Sequence, residues 1–141
     1  MQNNSLVDVA GDQTVLNVLL VEDDSLTASL LEYLFTRHGF VVQLARDGAE
    51  AQAIIHSNTA PPHVVVLDLI LPYVDGYELL QLVRKTAAWQ HVPVLIVSGK
   101  SQEEYIVRAF KLGASDFMIK PFYPNELIMR VTRLKNAGGI K

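Results

Sequence analysis

The chain has 141 residues, of which 50% are hydrophobic and 19% are charged, so it is long enough to bury a core and lacks the composition of a disordered chain. A formal net charge of −3 argues against nonspecific binding to nucleic acid or anionic membranes, which requires a basic surface. The absence of cysteine excludes disulfides, thiolate metal sites and cysteine nucleophiles.

The domain organisation follows from the distribution of apolar residues. Residues 1–14 are mostly polar and are predicted to form a flexible N-terminal extension. Residues 15–136 are predicted to form a single domain, and residues 137–141 a C-terminal tail or the start of a linker. No apolar run approaches the roughly 20 residues that span a bilayer, and the N-terminus lacks the features of a signal peptide. We therefore expect a cytoplasmic protein without membrane contact.

Five short apolar runs predict β-strands. Three of them are almost continuously apolar, which is typical of strands buried on both faces of a parallel sheet. The predicted strands are Leu16–Val21, Phe40–Ala45, Val64–Leu69, Val94–Val97 and Asp116–Ile119.

The segments between the strands are predicted to be helices. Capping boxes are expected to begin at Asp47, Asp75 and Ser101, each followed three residues later by a glutamate. Gly39 and Gly113 are expected to end helices in the left-handed conformation. Pro124 suits the first turn of the last helix. The predicted apolar faces comprise Leu26, Leu30, Leu34 and Phe35 in the first helix, Tyr77, Leu80 and Val83 in the third, and Ile106, Phe110 and Leu112 in the fourth. Five β-α units with right-handed crossovers predict an α/β fold with a doubly wound parallel sheet.

Polar side chains follow four of the predicted strands, at the edge of the sheet where open parallel sheets bind ligands. Glu22–Asp24 follow the first strand, Asp68 ends the third, Ser98 follows the fourth and Lys120 follows the fifth. Carboxylates this close together repel one another, and a hard cation such as Mg²⁺ would relieve the repulsion. A carboxylate could then act as a nucleophile towards phosphorus, with Lys120 neutralising the phosphoryl oxygens and Ser98 donating a hydrogen bond.

Each of these residues alone also has an ordinary structural explanation. The acidic run could cap a helix, and a serine or lysine after a strand is usually structural or solvated. Because they occur together at four strand ends, a functional site is the better interpretation.

The same residues resemble the motifs of response-regulator receiver domains, over residues 16–136. The motifs are Leu20-Val21-Glu22-Asp23-Asp24, Asp68-x-x-x-Pro72-x-x-Asp75-Gly76, Val97-Ser98-Gly99, Gly113-Ala114 and Lys120-Pro121-Phe122. The resemblance implies a (βα)5 flavodoxin-like fold with strand order 2-1-3-4-5.

The resemblance also implies roles for individual residues in and around the metal site. Asp68 corresponds to the phosphoacceptor and Asp23 to the direct ligand of Mg²⁺. Glu22 corresponds to the acidic neighbour that commonly acts through water, and the main-chain carbonyl of Ile70 to the backbone ligand. Asp24 lies one position beyond the acidic pair and is assigned to the outer shell.

Further roles concern the switch. Ser98 corresponds to the hydroxyl residue that moves towards the phosphoryl group, and Lys120 to the lysine of the family. Pro121 corresponds to a proline that usually follows a cis peptide bond. Phe117 takes the aromatic switch position, but it has no hydroxyl with which to bind a partner. A plain strand aromatic is the alternative interpretation of Phe117.

The implied function is that of a phosphoacceptor in a two-component system or phosphorelay. The implied phosphodonor is a sensor histidine kinase or a histidine phosphotransfer protein. Such a protein assists its own phosphorylation and slow autodephosphorylation but is not a turnover enzyme. The implied output surface is formed by the fourth helix, the fifth strand and the fifth helix, whose mixed charges suit a homodimer or an effector contact. The domain itself is expected to bind no nucleic acid.

Three alternatives compete with this interpretation. A haloacid-dehalogenase-like phosphotransferase would require a second acid two residues after the nucleophile, where Ile70 stands. A flavin-binding module would require a phosphate loop after the first strand, where Glu22–Asp24 would repel a phosphate. A degenerate receiver could act as a constitutive protein-interaction module, but the complete acidic set with Ser98 and Lys120 argues against it.

Overall fold

The computed structural model describes residues 15–57 and 60–139, in which five strands alternate with five helices. The strands are β1 (Leu16–Val21), β2 (Phe40–Ala45), β3 (Val64–Leu67), β4 (Val94–Ser98) and β5 (Asp116–Ile119). The helices are α1 (Ser25–Arg37), α2 (Gly48–His56), α3 (Gly76–Lys85), α4 (Glu103–Lys111) and α5 (Pro124–Gly139). The predicted N-terminal extension lies outside the described residues, and the predicted domain end at residue 136 falls inside α5.

The strands form one parallel sheet in the order β2-β1-β3-β4-β5, which confirms the predicted fold. The central strands β3 and β4 are buried along their whole length because helices cover both faces of the sheet. The edge strand β2 exposes Val41 and Gln43 in alternation with less exposed neighbours. The predicted third strand ends two residues early, at Leu67, and the fourth continues through Ser98.

Two apolar layers hold the helices against the sheet. On one face, α1 and α5 contribute Leu31, Phe35, Leu127 and Val131. On the other face, α2, α3 and α4 pack against a second cluster that also contains Trp89, the only tryptophan of the sequence. Trp89 is 1% exposed and lies in the connection between α3 and β4.

The predicted apolar face of α1 is partly wrong. Leu26 is 83% exposed and Leu30 is also exposed, whereas Ala28, Leu31 and Phe35 are buried. Leu30 and Leu31 are adjacent, so the sequence is compatible with two apolar faces rotated by about 100° from each other. In the structure, the face that contains Leu31 packs against the sheet.

The apolar face predicted for α3 is confirmed, whereas the one predicted for α4 is partly wrong. Tyr77, Leu80 and Val83 are buried as expected. In α4, Phe110 is exposed and Ala109 is the buried residue. Ile106 and Leu112 are partly buried and pack against the core. Ala109 is the only fully buried residue of α4, so the contacts of this helix with the core are made mostly by partly buried side chains.

Of the three predicted capping boxes, one is complete, one is partial and one is absent. Asp75 forms the full capping box with Glu78. Asp47 accepts from the Glu50 amide, but Glu50 reaches back to the amide of Arg46 instead of Asp47. The prediction for Ser101 is wrong, because α4 begins at Glu103, too far along the chain for Ser101 to cap it.

The remaining predictions of helix ends are confirmed. Gly39 and Gly113 have φ of 87° and 108°, and α5 begins at Pro124. Among the helices of the described residues, none combines the length and hydropathy required to cross a membrane.

Candidate functional site

The carboxyl ends of β1 and β3 bring Glu22 and Asp68 together. Val21 lies opposite Leu67 in the parallel ladder, so the next residue of each strand emerges at the same edge. The Asp68 amide donates to the Val21 carbonyl at 3.2 Å, and the Glu22 amide donates to the Ala45 carbonyl at 3.1 Å. These extensions of the ladder fix the backbone beneath both carboxylates.

Lys120 reaches the two carboxylates from the end of β5. Its amide donates to the Ser98 carbonyl at 2.9 Å, which fixes its backbone beside β4. Its Nζ lies 2.9 Å from Oε1 of Glu22 and 3.0 Å from Oδ2 of Asp68. The Lys120–Pro121 peptide bond is cis, as the resemblance implied.

Burial and hydrogen bonds together shift the pKa values of Glu22 and Lys120. Glu22 is 2% exposed, and its burial raises its pKa despite the opposing hydrogen bond from Lys120. Burial alone would lower the pKa of Lys120, but its hydrogen bonds to Glu22 and Asp68 outweigh this effect and raise the pKa overall. Lys120 is therefore a permanent cation at neutral pH, placed against Asp68.

Three carboxylates could hold a metal ion at this edge. Glu22, Asp23 and Asp68 each place one ligand oxygen within 4.8 Å of the other two, and Asp23 is the exposed member. An all-oxygen set of this kind fits a hard cation such as Mg²⁺ better than zinc or copper. Asp24 does not share this arrangement, because its Oδ2 accepts from the amide and hydroxyl of Thr27 at 2.9 and 2.7 Å. Asp24 is the N-cap of α1, the alternative that the sequence left open.

The loop after β3 carries Ile70 two residues beyond Asp68. The Ile70 amide donates to Oδ1 of Asp68 at 3.3 Å, which ties the loop to the carboxylate. The Ile70 side chain is exposed, so the segment lies at the surface beside the site. Its carbonyl as a metal ligand remains a prediction.

Ser98 and Phe117 lie on the neighbouring strands β4 and β5. Ser98 is buried, and its Oγ accepts from the Lys100 amide at 3.2 Å. Phe117 is 9% exposed and packs within the core cluster on the α2–α4 side of the sheet. Its ring is therefore turned inward here, which leaves its role as a switch a prediction.

Sequence reasoning missed the part that Gly76 plays in the site. A β-carbon at Gly76 would overlap the Asp68 carbonyl oxygen and come within 2.6 Å of Leu69 Cα. Only glycine allows α3 to begin so close to the backbone of Asp68. The Asp-Gly pair after the proline was visible as a motif, but nothing in the sequence shows which backbone it approaches.

The surface of α4, β5 and α5 pairs some of its predicted charges within the chain. Asp116 contacts Arg130 at 2.8 Å and Arg133 at 3.4 Å. These two ion pairs neutralise part of the surface charge within the chain, so fewer charged groups remain to bind a partner. Arg108 lies over the ring of Tyr77, at 4.1 Å from its centroid. Lys111 is exposed in the last turn of α4.

Comparison with known proteins agrees with this geometry. Residues 18–132 match the family described as the response regulator receiver domain. The alkaline phosphatase synthesis transcriptional regulatory protein PhoP of Bacillus subtilis is 37% identical over 123 residues, covering 87% of this chain and 50% of PhoP.

Two solved structures resemble the fold closely. The receiver domain of Francisella response regulator 1452 has a TM-score of 0.79 and 34% identity, covering 86% of this chain and 98% of that one. The receiver domain of a signal transduction histidine kinase from Syntrophus aciditrophicus has a TM-score of 0.80 and 28% identity, covering 87% and 92%.

The chain belongs to the response regulator receiver domain family, whose members are phosphoacceptors of two-component systems and interact with histidine kinases. It spans about half the length of the curated relatives it matches. The similarity to PhoP and to a kinase receiver shows that this domain is used in more than one protein context.

Proposed function

We propose that the domain is a phosphorylation switch in which Asp68 accepts a phosphoryl group from a phosphohistidine. The observation that carries this proposal is the buried carboxylate of Asp68 in contact with Lys120, beside two further carboxylates. An oxygen of Asp68 would form the new bond to phosphorus as the phosphorus–nitrogen bond of the donor breaks. The imidazole nitrogen of the donor would keep the electron pair of the broken bond.

The surrounding residues have separate tasks in this transfer. Lys120 would neutralise charge on the phosphoryl oxygens, and Ser98 would donate its hydroxyl hydrogen to one of them. Bound Mg²⁺, held by Glu22, Asp23, Asp68 and the Ile70 carbonyl, would supply further positive charge at the transferring group. One phosphoryl group is accepted and slowly lost again, so the domain acts as a switch and not as a turnover enzyme.

The output would arise at the surface formed by α4, β5 and α5. Ser98 would move towards the phosphoryl group, and the connection that follows it would shift the population of α4 positions. Phe117 lies on the adjacent strand and would respond to the space that Ser98 leaves. A homodimer or an effector would then recognise the altered surface.

The donor would dock beside α1. Leu26 and Leu30 are exposed on this helix, and Leu30 lines a groove of about 380 Å³ with Lys120, Pro121 and Phe122. The groove is continuous with the site because Lys120 belongs to both. An amphipathic helix carrying the phosphohistidine, from a sensor kinase or a phosphotransfer protein in the cytoplasm, fits an apolar surface in this position.

The direct test is the intact mass of the protein after incubation with Mg²⁺ and a small acyl-phosphate donor. We expect one added phosphoryl group in the wild type, labile to hydroxylamine, and none in the Asp68→Asn variant. Beryllium fluoride with Mg²⁺ serves as a second probe, since it mimics the phosphoryl group without chemistry. Failure of both probes on the folded wild type would refute the proposal.

A further inference from the structure

The loop between β3 and α3 connects the nucleophile to the proposed backbone ligand. It starts at Asp68, passes through Ile70 and is closed at its base by the Gly76 amide, which donates to the Leu69 carbonyl at 2.8 Å. Asp68 and Ile70 are joined by their own hydrogen bond at 3.3 Å. These two bonds fix Leu69 and the amide of Ile70, but not the path of the backbone from the Ile70 carbonyl to the tip of the loop, residues 72–74.

The tip has a strained backbone. Tyr73 has φ of 73°, in the left-handed region that a residue with a β-carbon enters at a cost of about 1–2 kcal/mol. Its side chain is 83% exposed, so packing of the ring does not explain the conformation. Strain of this kind persists only where the surrounding structure imposes it.

Two contacts provide that constraint: the Val74 amide donates to the Pro72 carbonyl at 2.9 Å and closes the turn around Tyr73, and the first residue of α2 contacts the same turn from outside. The Gly48 amide donates to the Pro72 carbonyl at 3.3 Å. A β-carbon on Gly48 would overlap the Val74 carbonyl oxygen and come within 2.8 Å of Val74 Cβ. The two backbones therefore touch on either side of Tyr73, with no room for a side chain between them.

The start of α2 is itself held in place. Asp47 accepts from the Glu50 amide at 2.8 Å, and Glu50 accepts from the Arg46 amide at 2.8 Å. Gly48 has no left-handed φ, so the close contact with the loop is the reason that glycine is required there. A fixed helix start that touches the strained tip can hold the loop in place, and this contact of Gly48 with residues 72–74 is called the brace below.

We propose that Gly48 is a positioning residue for the metal site, because its close backbone contact sets the path of the β3–α3 loop and thereby the place of the Ile70 carbonyl. The inference rests on the proposed function, since it concerns the same Mg²⁺ site. It adds a determinant of metal affinity from α2, an element that contributes none of the proposed ligands.

The test is the affinity of Gly48→Ala for Mg²⁺, measured by titration of backbone amide chemical shifts. The added methyl group should displace the loop and weaken Mg²⁺ binding by about tenfold or more, as changes behind a metal ligand commonly do. Gly99→Ala is the matched control, because a β-carbon at Gly99 meets nothing within 4 Å. It should keep the affinity of the wild type.

The outcomes separate this inference from the proposed function. If the wild type shows no saturable Mg²⁺ binding, both are refuted. If the wild type binds and Gly48→Ala binds equally well, the added methyl group has displaced the start of α2 and not the loop. Only the inference is then refuted. If Gly48→Ala does not fold, Asp47→Ala decides, because it loosens the start of α2 without adding an atom. Weaker Mg²⁺ binding in that variant supports the brace, and unchanged binding refutes it.

Discussion

Lys120 offsets the electrostatic repulsion between the buried carboxylates of Glu22 and Asp68. Its ammonium group contacts both Glu22 and Asp68, and burial leaves these two acids little access to water. Without the lysine, two negative charges would face each other at the rim of the core.

We expect Lys120→Met to lower the free energy of unfolding by about 3 kcal/mol in EDTA, the cost of removing one partner from a buried ion pair. Mg²⁺ should restore part of this loss, because it binds only the folded carboxylate cluster. Urea unfolding with and without Mg²⁺ measures both effects. Lys85→Met is the control, since Lys85 is exposed and has no ion pair among the described residues. An equal loss at every Mg²⁺ concentration would contradict the argument.

At the level of single residues, the sequence predicted those parts of the site that depend on strand ends. Glu22, Asp68, Ser98 and Lys120 lie where their positions after apolar runs placed them. The contact of Gly48 with the tip of the β3–α3 loop could not be predicted, because it depends on how two elements meet in space. The same holds for Tyr73, whose residue type gives no sign of a left-handed φ.

Among helices α1 to α4, only α4 starts without a hydrogen bond to its N-cap side chain. Its N-cap is Gln102, which makes no side-chain hydrogen bond to the helix, whereas Asp24, Asp47 and Asp75 cap their helices. The helix also buries only Ala109 fully. It follows the β4 end that carries Ser98, so the helix next to the proposed switch begins without a side-chain cap.

We expect Gln102→Ser to stabilise the protein by about 1 kcal/mol, because a serine at the N-cap accepts a hydrogen bond from the first turn. A rise in the urea midpoint with an unchanged slope would show this. Gln90→Ser, an exposed position outside the helices, should change stability by less than about 0.5 kcal/mol. No difference between the two variants would show that the start of α4 gains nothing from a cap.

The elements also show why the sequence predicted strands better than helix faces. Continuous apolar runs such as Val64–Leu67 have one interpretation, because both faces of the strand are buried. A helix with neighbouring leucines has two, and the choice in α1 was wrong for Leu26. The prediction for Ser101 failed for a different reason, since α4 begins one residue later and Glu104 therefore falls at the second helical position, not at the third that a capping box requires.

Across the whole molecule, Arg84 ties together loops at the edge opposite Asp68. Its guanidinium donates to the Gly113 carbonyl at 3.0 and 2.7 Å and to the Val92 carbonyl at 2.6 Å. Burial lowers the pKa of Arg84, but a guanidinium keeps its charge. The segment after α4 is thereby fixed to α3 and to the segment before β4, whereas the first turn of α4 is held to α3 by the hydrogen bond from the Tyr77 hydroxyl to the Tyr105 carbonyl at 3.0 Å.

The proposed docking surface on α1 leads to a prediction about the choice of donor, which concerns Leu26, the exposed neighbour in sequence of the groove residue Thr27. Leu26→Asp should reduce phosphotransfer from a phosphohistidine protein by about tenfold, equivalent to about 1.4 kcal/mol of binding. Phosphorylation by a small acyl phosphate should be unchanged, because that donor needs no docking surface. Ala53→Asp on α2 is the control, since it adds the same charge at an exposed position on the other face of the sheet. Equal loss with both donors would place the effect of Leu26 in the chemistry and not in docking.

The position of Trp89 has a practical consequence for all of these measurements. The indole is buried in the core where β4 begins, and the acidic cluster lies where β1 and β3 end, so the length of the sheet separates them. The domain therefore contains an optical reporter of global unfolding that lies far from any bound cation. Its fluorescence can follow denaturation of each variant at any Mg²⁺ concentration without quenching by events at the site.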